Sequence, residues 1–265
     1  NGGKTMKIDG VFSGGGIKGL AFLGALEELE KRGITFERVA GTSAGSLFAA
    51  LIAAGYTSEE MKREILPLKF SDLLDANRLN LPLKWINWLP IYWRMGLYKG
   101  ELLEKWIGDL LERKGVQAFS DLKSGRLKMV ASDLTNGRIL VLPDDLHKYD
   151  IPFESFPVAK AVRMSCSIPY FFEPVRLKTR GKQSIIVDGG VLSNFPMWLF
   201  DNGRDRILRP ILGFSLSQQI QMKPPKKISN AFQLFDALFT TMMDAHDARY
   251  ISKRHAKNIV FIQAD

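Results

Sequence analysis

The 265-residue chain has one cysteine, Cys166, and three histidines, His147, His246 and His255. A single thiol excludes an intramolecular disulfide and any metal site built from several thiolates. A reducing compartment fits this count without following from it. No run of 18 apolar residues occurs, and the N-terminus lacks the charged-then-apolar layout of a secretory signal. The sequence therefore reads as a soluble, cytoplasmic protein whose contact with membranes would be peripheral. No D-x-D-x-D-G loop is present, so no metal or cofactor is expected. Internal repeats and low-complexity tracts are missing as well. Acidic residues are outnumbered, 28 against 37 Lys and Arg, for a formal charge of +9 and a pI near 9.6. That balance favours anionic surfaces, whether nucleic acid or lipid headgroups, or simply serves solubility.

What is present is ordinary for a globular chain: 46% apolar residues and 25% charged, enough for one sizeable core. Ile8–Ser13 reads as a buried strand, Gly14–Gly16 as a tight loop, and Ile17–Arg32 as a helix with Leu20, Leu23, Leu26 and Leu29 on one face, ended by Gly33. A second unit follows, with Phe36–Ala40 extended, Gly41–Gly45 turning, and Ser46–Ala54 a small-residue helix stopped by Gly55. Residues 128–131, 139–142, 185–187, 211–214 and 259–262 supply further strands, and a helix runs from about Ala231 to His246. This alternation predicts an α/β fold, a mostly parallel central sheet with helices on both faces in three layers. The expected organisation is one catalytic domain over 6–265. Asn1–Thr5 reads as an appended scar, and the strand at Ile259–Gln263 suggests a piece of a longer protein.

Three local patterns could carry chemistry. Gly41-Thr42-Ser43-Ala44-Gly45 lies between a strand and a helix, where a tight turn lifts a serine hydroxyl above the sheet and small neighbours let the turn form. Gly14-Gly15-Gly16-Ile17-Lys18-Gly19 also opens a helix, so its amides could bind the negative oxygen formed when Ser43 attacks an ester. Lys18 adds positive potential there, although a solvated lysine at a helix start accounts for it equally well. The same residues match the dinucleotide fingerprint G-x-G-x-x-G. That reading needs an acid at the end of the second strand, where this chain has Val39-Ala40-Gly41, and Glu37 comes too early. The third pattern is Ile185–Gly190, an apolar strand delivering Asp188 into a glycine turn, which alone could be only a turn-forming Asp-Gly. None of the three histidines stands in a short strand-end loop, so all read as surface or structural residues. A Ser43–Asp188 dyad remains.

The blocks GGGIKG, GTSAG and DGG, in this order, resemble the patatin-like phospholipases, and the similarity extends from Lys7 to the end of the chain. Ala131–Gly137, Met164–Pro169 and Phe172–Pro174 look family-like too. The resemblance implies Ser43 as nucleophile, Asp188 as base and Gly14, Gly15 and Gly16 as the oxyanion loop, supported by Lys18, Gly41, Gly45 and Gly190. Gly190 departs slightly, since relatives often carry alanine there. An ordinary aspartate is too weak a base for serine, so burial must raise its basicity.

Asn77–Gly100 interrupts the alternation with Trp85, Trp88 and Trp93, two prolines, four Lys or Arg including Arg94, and no acidic residue. It reads as a cap whose rings and cations suit a membrane interface, or equally as an indole-rich core patch. No nucleic-acid fold accompanies it, so nucleic acid is not an expected partner. The function expected is lipid acyl hydrolysis, of phospholipase A or lysophospholipase type. An esterase or thioesterase for soluble acyl substrates and a catalytically silent lipid binder are the alternatives.

Overall fold

A computed structural model describes residues 6–75, 89–179, 181–201, 209–217, 228–250 and 258–263. Strand β1 (Met6–Phe12) leads through Gly14 and Gly15 into a 3-10 turn, Gly16–Ala21, and then α1 (Phe22–Lys31). The single helix expected from Ile17 is thus two pieces. Gly19 is drawn close to the second helix, where a Cβ would stand 3.1 Å from that of Ala44, and Leu20 is left exposed instead of facing the core. Next come β2 (Ile34–Thr42), α2 (Ala44–Ala53) and α3 (Ser58–Ile65). The pattern reading passed over α3, although Thr57 and Glu60 form a full capping box at its start.

The remaining elements are α4 (Leu89–Arg94), β3 (Gly96–Tyr98), α5 (Glu101–Glu112), β4 (Leu127–Asp133), β5 (Arg138–Leu142), α6 (Val158–Ser165), β6 (Tyr170–Phe172), β7 (Val175–Thr179), β8 (Lys182–Asp188), β9 (Ile211–Ser217), α7 (Ala231–Tyr250) and β10 (Ile259–Gln263). Strands β10, β9, β1, β2 and β4 pair in parallel, in that order, while β5 and β8 join β4 antiparallel and β7 joins β8 antiparallel. A separate small sheet pairs β3 with β6. The fold is a three-layer α/β sandwich with a mostly parallel sheet, as expected.

One detail of register positions the site. A strand has two edges, and β5 covers Met129–Asp133 on one of them. Strand β2 pairs with Leu127–Val130 and β8 with Ala131–Asp133, so both lie on the other edge, meeting end to end. Thr42 pairs with Val130 and Asp188 with Ala131. Residues about 150 apart in sequence are thereby brought into adjacent rungs.

Alternation along β1 and β2 divides the core. Phe12 and Val39 face α1 and α2, with Phe12 stacked on Phe214 (ring centroids 4.7 Å apart) and edge-on to Phe22 (5.4 Å). Val11 and Ala40 face the opposite side and pack on Phe195, Met197 and Phe200.

Candidate active site

Ser43 sits at the junction of β2 and α2 with φ 52° and ψ −127°, a conformation costing a non-glycine residue about 1 to 3 kcal/mol. The surroundings hold it there. Its N–H donates to Ser165 Oγ at 2.9 Å, and its carbonyl accepts from Ser46 N–H (2.8 Å) and Ser46 Oγ–H (2.6 Å). Ser165 in turn donates to Val130 O at 2.6 Å. The flanking glycines are required by close approach. A Cβ on Gly41 would overlap the Gly45 carbonyl, and one on Gly45 would lie 2.6 Å from Ser13 O, beside the Phe12 backbone. Those contacts are backbone and cannot swing away. Gly45→Ala should therefore destabilise the fold by about 3 kcal/mol in urea unfolding; a wild-type midpoint would mean the elbow is looser than this packing implies.

Asp188 ends β8 and is fully buried. Its N–H donates to Ser167 O at 2.8 Å, and its Oδ1 accepts the Gly190 N–H at 2.7 Å. Oδ2 is buried with no hydrogen bond of ordinary geometry among the described residues. Burial pushes the carboxyl pKa up to about 7, opposed in part by the Ser43 hydroxyl beside it and by the Gly190 N–H. Gly189 permits the approach of β8 to β2, since a Cβ there would stand 2.9 Å from Thr42 Cγ2 and 2.7 Å from the Val130 carbonyl carbon. A Cβ on Gly190 would meet the flexible side chain of Met243 at 2.9 Å, the carboxylate itself at 3.1 Å and Asn194 Oδ1 at 3.4 Å.

The glycine loop lies over the same point: a Cβ on Gly14 would be 3.3 Å from Ser43 Cβ. Its three amides are not equivalent. Gly14 N–H is committed to Asn194 O at 3.0 Å, whereas no backbone acceptor outside the turn takes the N–H of Gly15 or Gly16 among the described residues. Lys18 is exposed on the turn that follows.

The other expectations divide. Trp85 and Trp88 lie outside the described residues. Trp93 is 72% exposed on α4, stacked edge-on against exposed Tyr92, so at this position the core-patch alternative fails. Arg94 lies 3.9 Å from Glu173. His147 is exposed, its Nδ1 at 2.6 Å from Asp144 O; His255 and the side chain of His246 lie outside the described residues. Cys166, next to Ser46 with Sγ and Oγ 3.8 Å apart, is a thiol that burial and the nearby Asp188 push up to about 12. Ser165 and Ser167 stand inside a stretch singled out by pattern, but their bonds reach Ser43 and Asp188, 122 and 21 residues away, and leave no local signal.

No helix of the described residues is long and apolar enough to cross a membrane. The chain matches the family described as patatin-like phospholipase over residues 10–201. It is 56% identical over 260 residues to the uncharacterized protein YqhO of Bacillus subtilis (strain 168), covering 98% of this chain and 88% of that one. It is 26% identical over 192 residues to the probable lipid hydrolase 463L of Invertebrate iridescent virus 6, covering 71% of this chain and 61% of the viral one. Among solved structures it superimposes on the crystal structure of full-length SpcU in complex with full-length ExoU from Pseudomonas aeruginosa, with a TM-score of 0.50 and 18% identity over 92% of this chain. That likeness concerns the fold, and this chain spans about half (51%) of the chain it matches.

Proposed function

Because the chain belongs to the patatin-like phospholipase family, we propose that it is a serine-dependent lipid acyl hydrolase, of phospholipase A or lysophospholipase type, acting at membrane surfaces. The observation that carries this reading is the meeting of Ser43 with a buried Asp188 whose pKa stands at about 7. An aspartate so raised is half ionised at neutral pH and basic enough to take the serine proton as the hydroxyl oxygen attacks an ester carbonyl. The N–H groups of Gly15 and Gly16 would receive the oxyanion, and the N-terminus of α2 favours negative charge at Ser43. Collapse expels the alcohol or lysolipid, which takes the proton from Asp188. Water, deprotonated by the same carboxylate, then releases the fatty acid from the acyl-serine. Residues 6–265 act as one catalytic domain, with 77–100 as its cap.

Support for a lipid surface comes from apolar side chains that the fold leaves exposed. Met243 of α7 borders Gly190, and on the same helix Leu234 and Leu238, one turn apart, are exposed. Phe235 carries Tyr170 edge-on at 5.0 Å. With Tyr92 and Trp93 on the cap and a net charge of +9, this suits an anionic bilayer. Headgroup- and position-resolved product analysis on anionic vesicles, with Ser43→Ala as control, tests the reading. Free fatty acid is expected from the wild type only, faster than from monomeric short-chain esters of the same headgroup. Leu238→Asp should lower vesicle hydrolysis about tenfold and leave monomeric ester hydrolysis unchanged. Equal loss on both substrates would remove α7 from the lipid-facing surface. A wild type faster on monomeric esters or thioesters would favour the soluble-substrate alternative.

A further inference from the structure

Arg163 lies in α6 and is 3% exposed, a guanidinium taken almost wholly out of water. Its donors are spent on groups from three separate stretches of chain. Nε–H donates to Gly100 O at 3.1 Å, and Nη2 donates to Lys99 O and to Glu173 O (2.7 Å). Nη1 donates to Ser167 Oγ, and the guanidinium lies over the Phe172 ring, 5.0 Å from its centroid. Lys99 and Gly100 follow β3, the last strand of the cap, and Glu173 follows β6, the strand paired with it. Ser167 belongs to the turn after α6, and its carbonyl accepts the N–H of Asp188.

Two further features converge on the same spot. Gly100 has φ +77° and a Cβ there would fall inside the guanidinium, so the residue is shaped to admit Arg163. Asp75, the last described residue before the cap segment, accepts the N–H groups of Gly100 and Glu101 at 2.6 Å each and of Leu102 at 3.1 Å. Asp75 and Arg163 therefore both bond to Gly100, the one at its N–H and the other at its carbonyl. A planar fork with five fixed donors can hold three carbonyls and a hydroxyl at once; an ammonium cannot.

We propose that Arg163 is a positioning residue that couples the docking of the β3–β6 sheet, through Lys99, Gly100 and Glu173, to the placement of Asp188, through Ser167. When that sheet is docked, the guanidinium pins the Ser167 turn, and the Ser167 carbonyl holds the end of β8 against Ser43. Loosening the clamp lets the turn move and water reach the carboxylate. The inference rests on the reading of Ser43 and Asp188 as the reacting pair.

The test uses Arg163→Lys, Gly100→Ala and Ser167→Ala, which attack the clamp from its centre, from the cap side and from the Asp188 side. Active sites are counted by fluorophosphonate labelling, and kcat, KM and the pH profile are measured on a monomeric ester. Each variant should lose about tenfold or more in kcat per labelled site, since misplacement by about 1 Å can cost a hundredfold, with KM little changed. The acid limb of kcat/KM should move to lower pH as Asp188 becomes hydrated. The Ser43 hydroxyl and the Cys166 thiol face that carboxylate; burial keeps the thiol neutral, so the limb reports Asp188. A merely structural Arg163 would lower the melting temperature and the number of labelled sites, leaving the pH midpoint and per-site kcat in place. That result in all three variants overturns the coupling. Should Arg163→Lys fail to fold, Ser167→Ala, which deletes one hydroxyl, decides alone. A wild type that takes no label overturns the dyad reading, and this inference with it.

Discussion

Ser43→Ala is expected to reduce ester hydrolysis by roughly 10,000-fold or more and to abolish fluorophosphonate labelling, with the melting temperature of the wild type retained. The rate loss follows from removing the atom that would form the acyl bond. Retained stability follows from what holds the elbow. The N–H of Ser43 is bonded to Ser165 and its carbonyl to Ser46, and alanine keeps both backbone contacts. Alanine also keeps the Cβ, so the strained φ of 52° is neither relieved nor worsened. Product release from vesicles alongside a thermal melt checks both halves. A folded variant with a tenth of wild-type activity would mean that another residue is the nucleophile.

Asp188→Asn should cost about 1,000-fold or more in kcat/KM and, above neutral pH, should make the protein more stable than the wild type. The amide cannot accept the serine proton. For stability, the carboxyl pKa is about 7 in the folded chain against 3.8 for the ordinary group. Between those values the folded state binds a proton that the unfolded state lacks, so stability is greatest below pH 4 for this group and falls as pH rises towards 7. The fall is on the order of 4 kcal/mol, at 1.36 kcal/mol for each unit of difference. Asparagine stays neutral throughout and removes it. Urea unfolding at pH 5 and pH 8 should show a drop in the wild type that is missing or much reduced in the variant. Equal drops in both would show that Asp188 is not the strained acid described here.

The legible parts of this fold are those with local causes. The loop after β1, the turn after β2 and Asp188 at the end of β8 each lie at a strand end marked by glycines, and the apolar runs located most of the large sheet. What stayed hidden depends on distant partners. Nothing in Ile185–Val187 says that β8 runs antiparallel and abuts β2 end to end; that follows from β4 offering one free edge to two strands. The short strands β3 and β6 hold together through aromatic contacts such as Tyr98 with Phe171 (5.0 Å), and three residues leave no readable alternation. The glycine loop is readable as a strand-to-helix turn, but the commitment of Gly14 N–H to Asn194 is not, because the acceptor is 180 residues away. The interruption at 77–100 was visible as aromatic and free of acids. Its attachment through Asp75, Gly100 and Arg163 was not, since no spacing encodes a buried arginine that reads carbonyls. The capping box at Thr57 and Glu60, by contrast, is a local signal that marks the start of α3.

The central claim is that Ser43 reacts because Asp188 takes its proton, without a histidine. It is tested most directly by the rate of fluorophosphonate labelling at Ser43, followed by peptide-resolved mass spectrometry from pH 5 to 9, in the wild type and Asp188→Asn. The account predicts one adduct, on Ser43, whose rate in the wild type rises through a single ionisation near pH 7. In the variant the rate should be at least 100 times lower and free of that ionisation. An ionisation near neutrality that survives in Asp188→Asn, or an adduct on another residue, would contradict it.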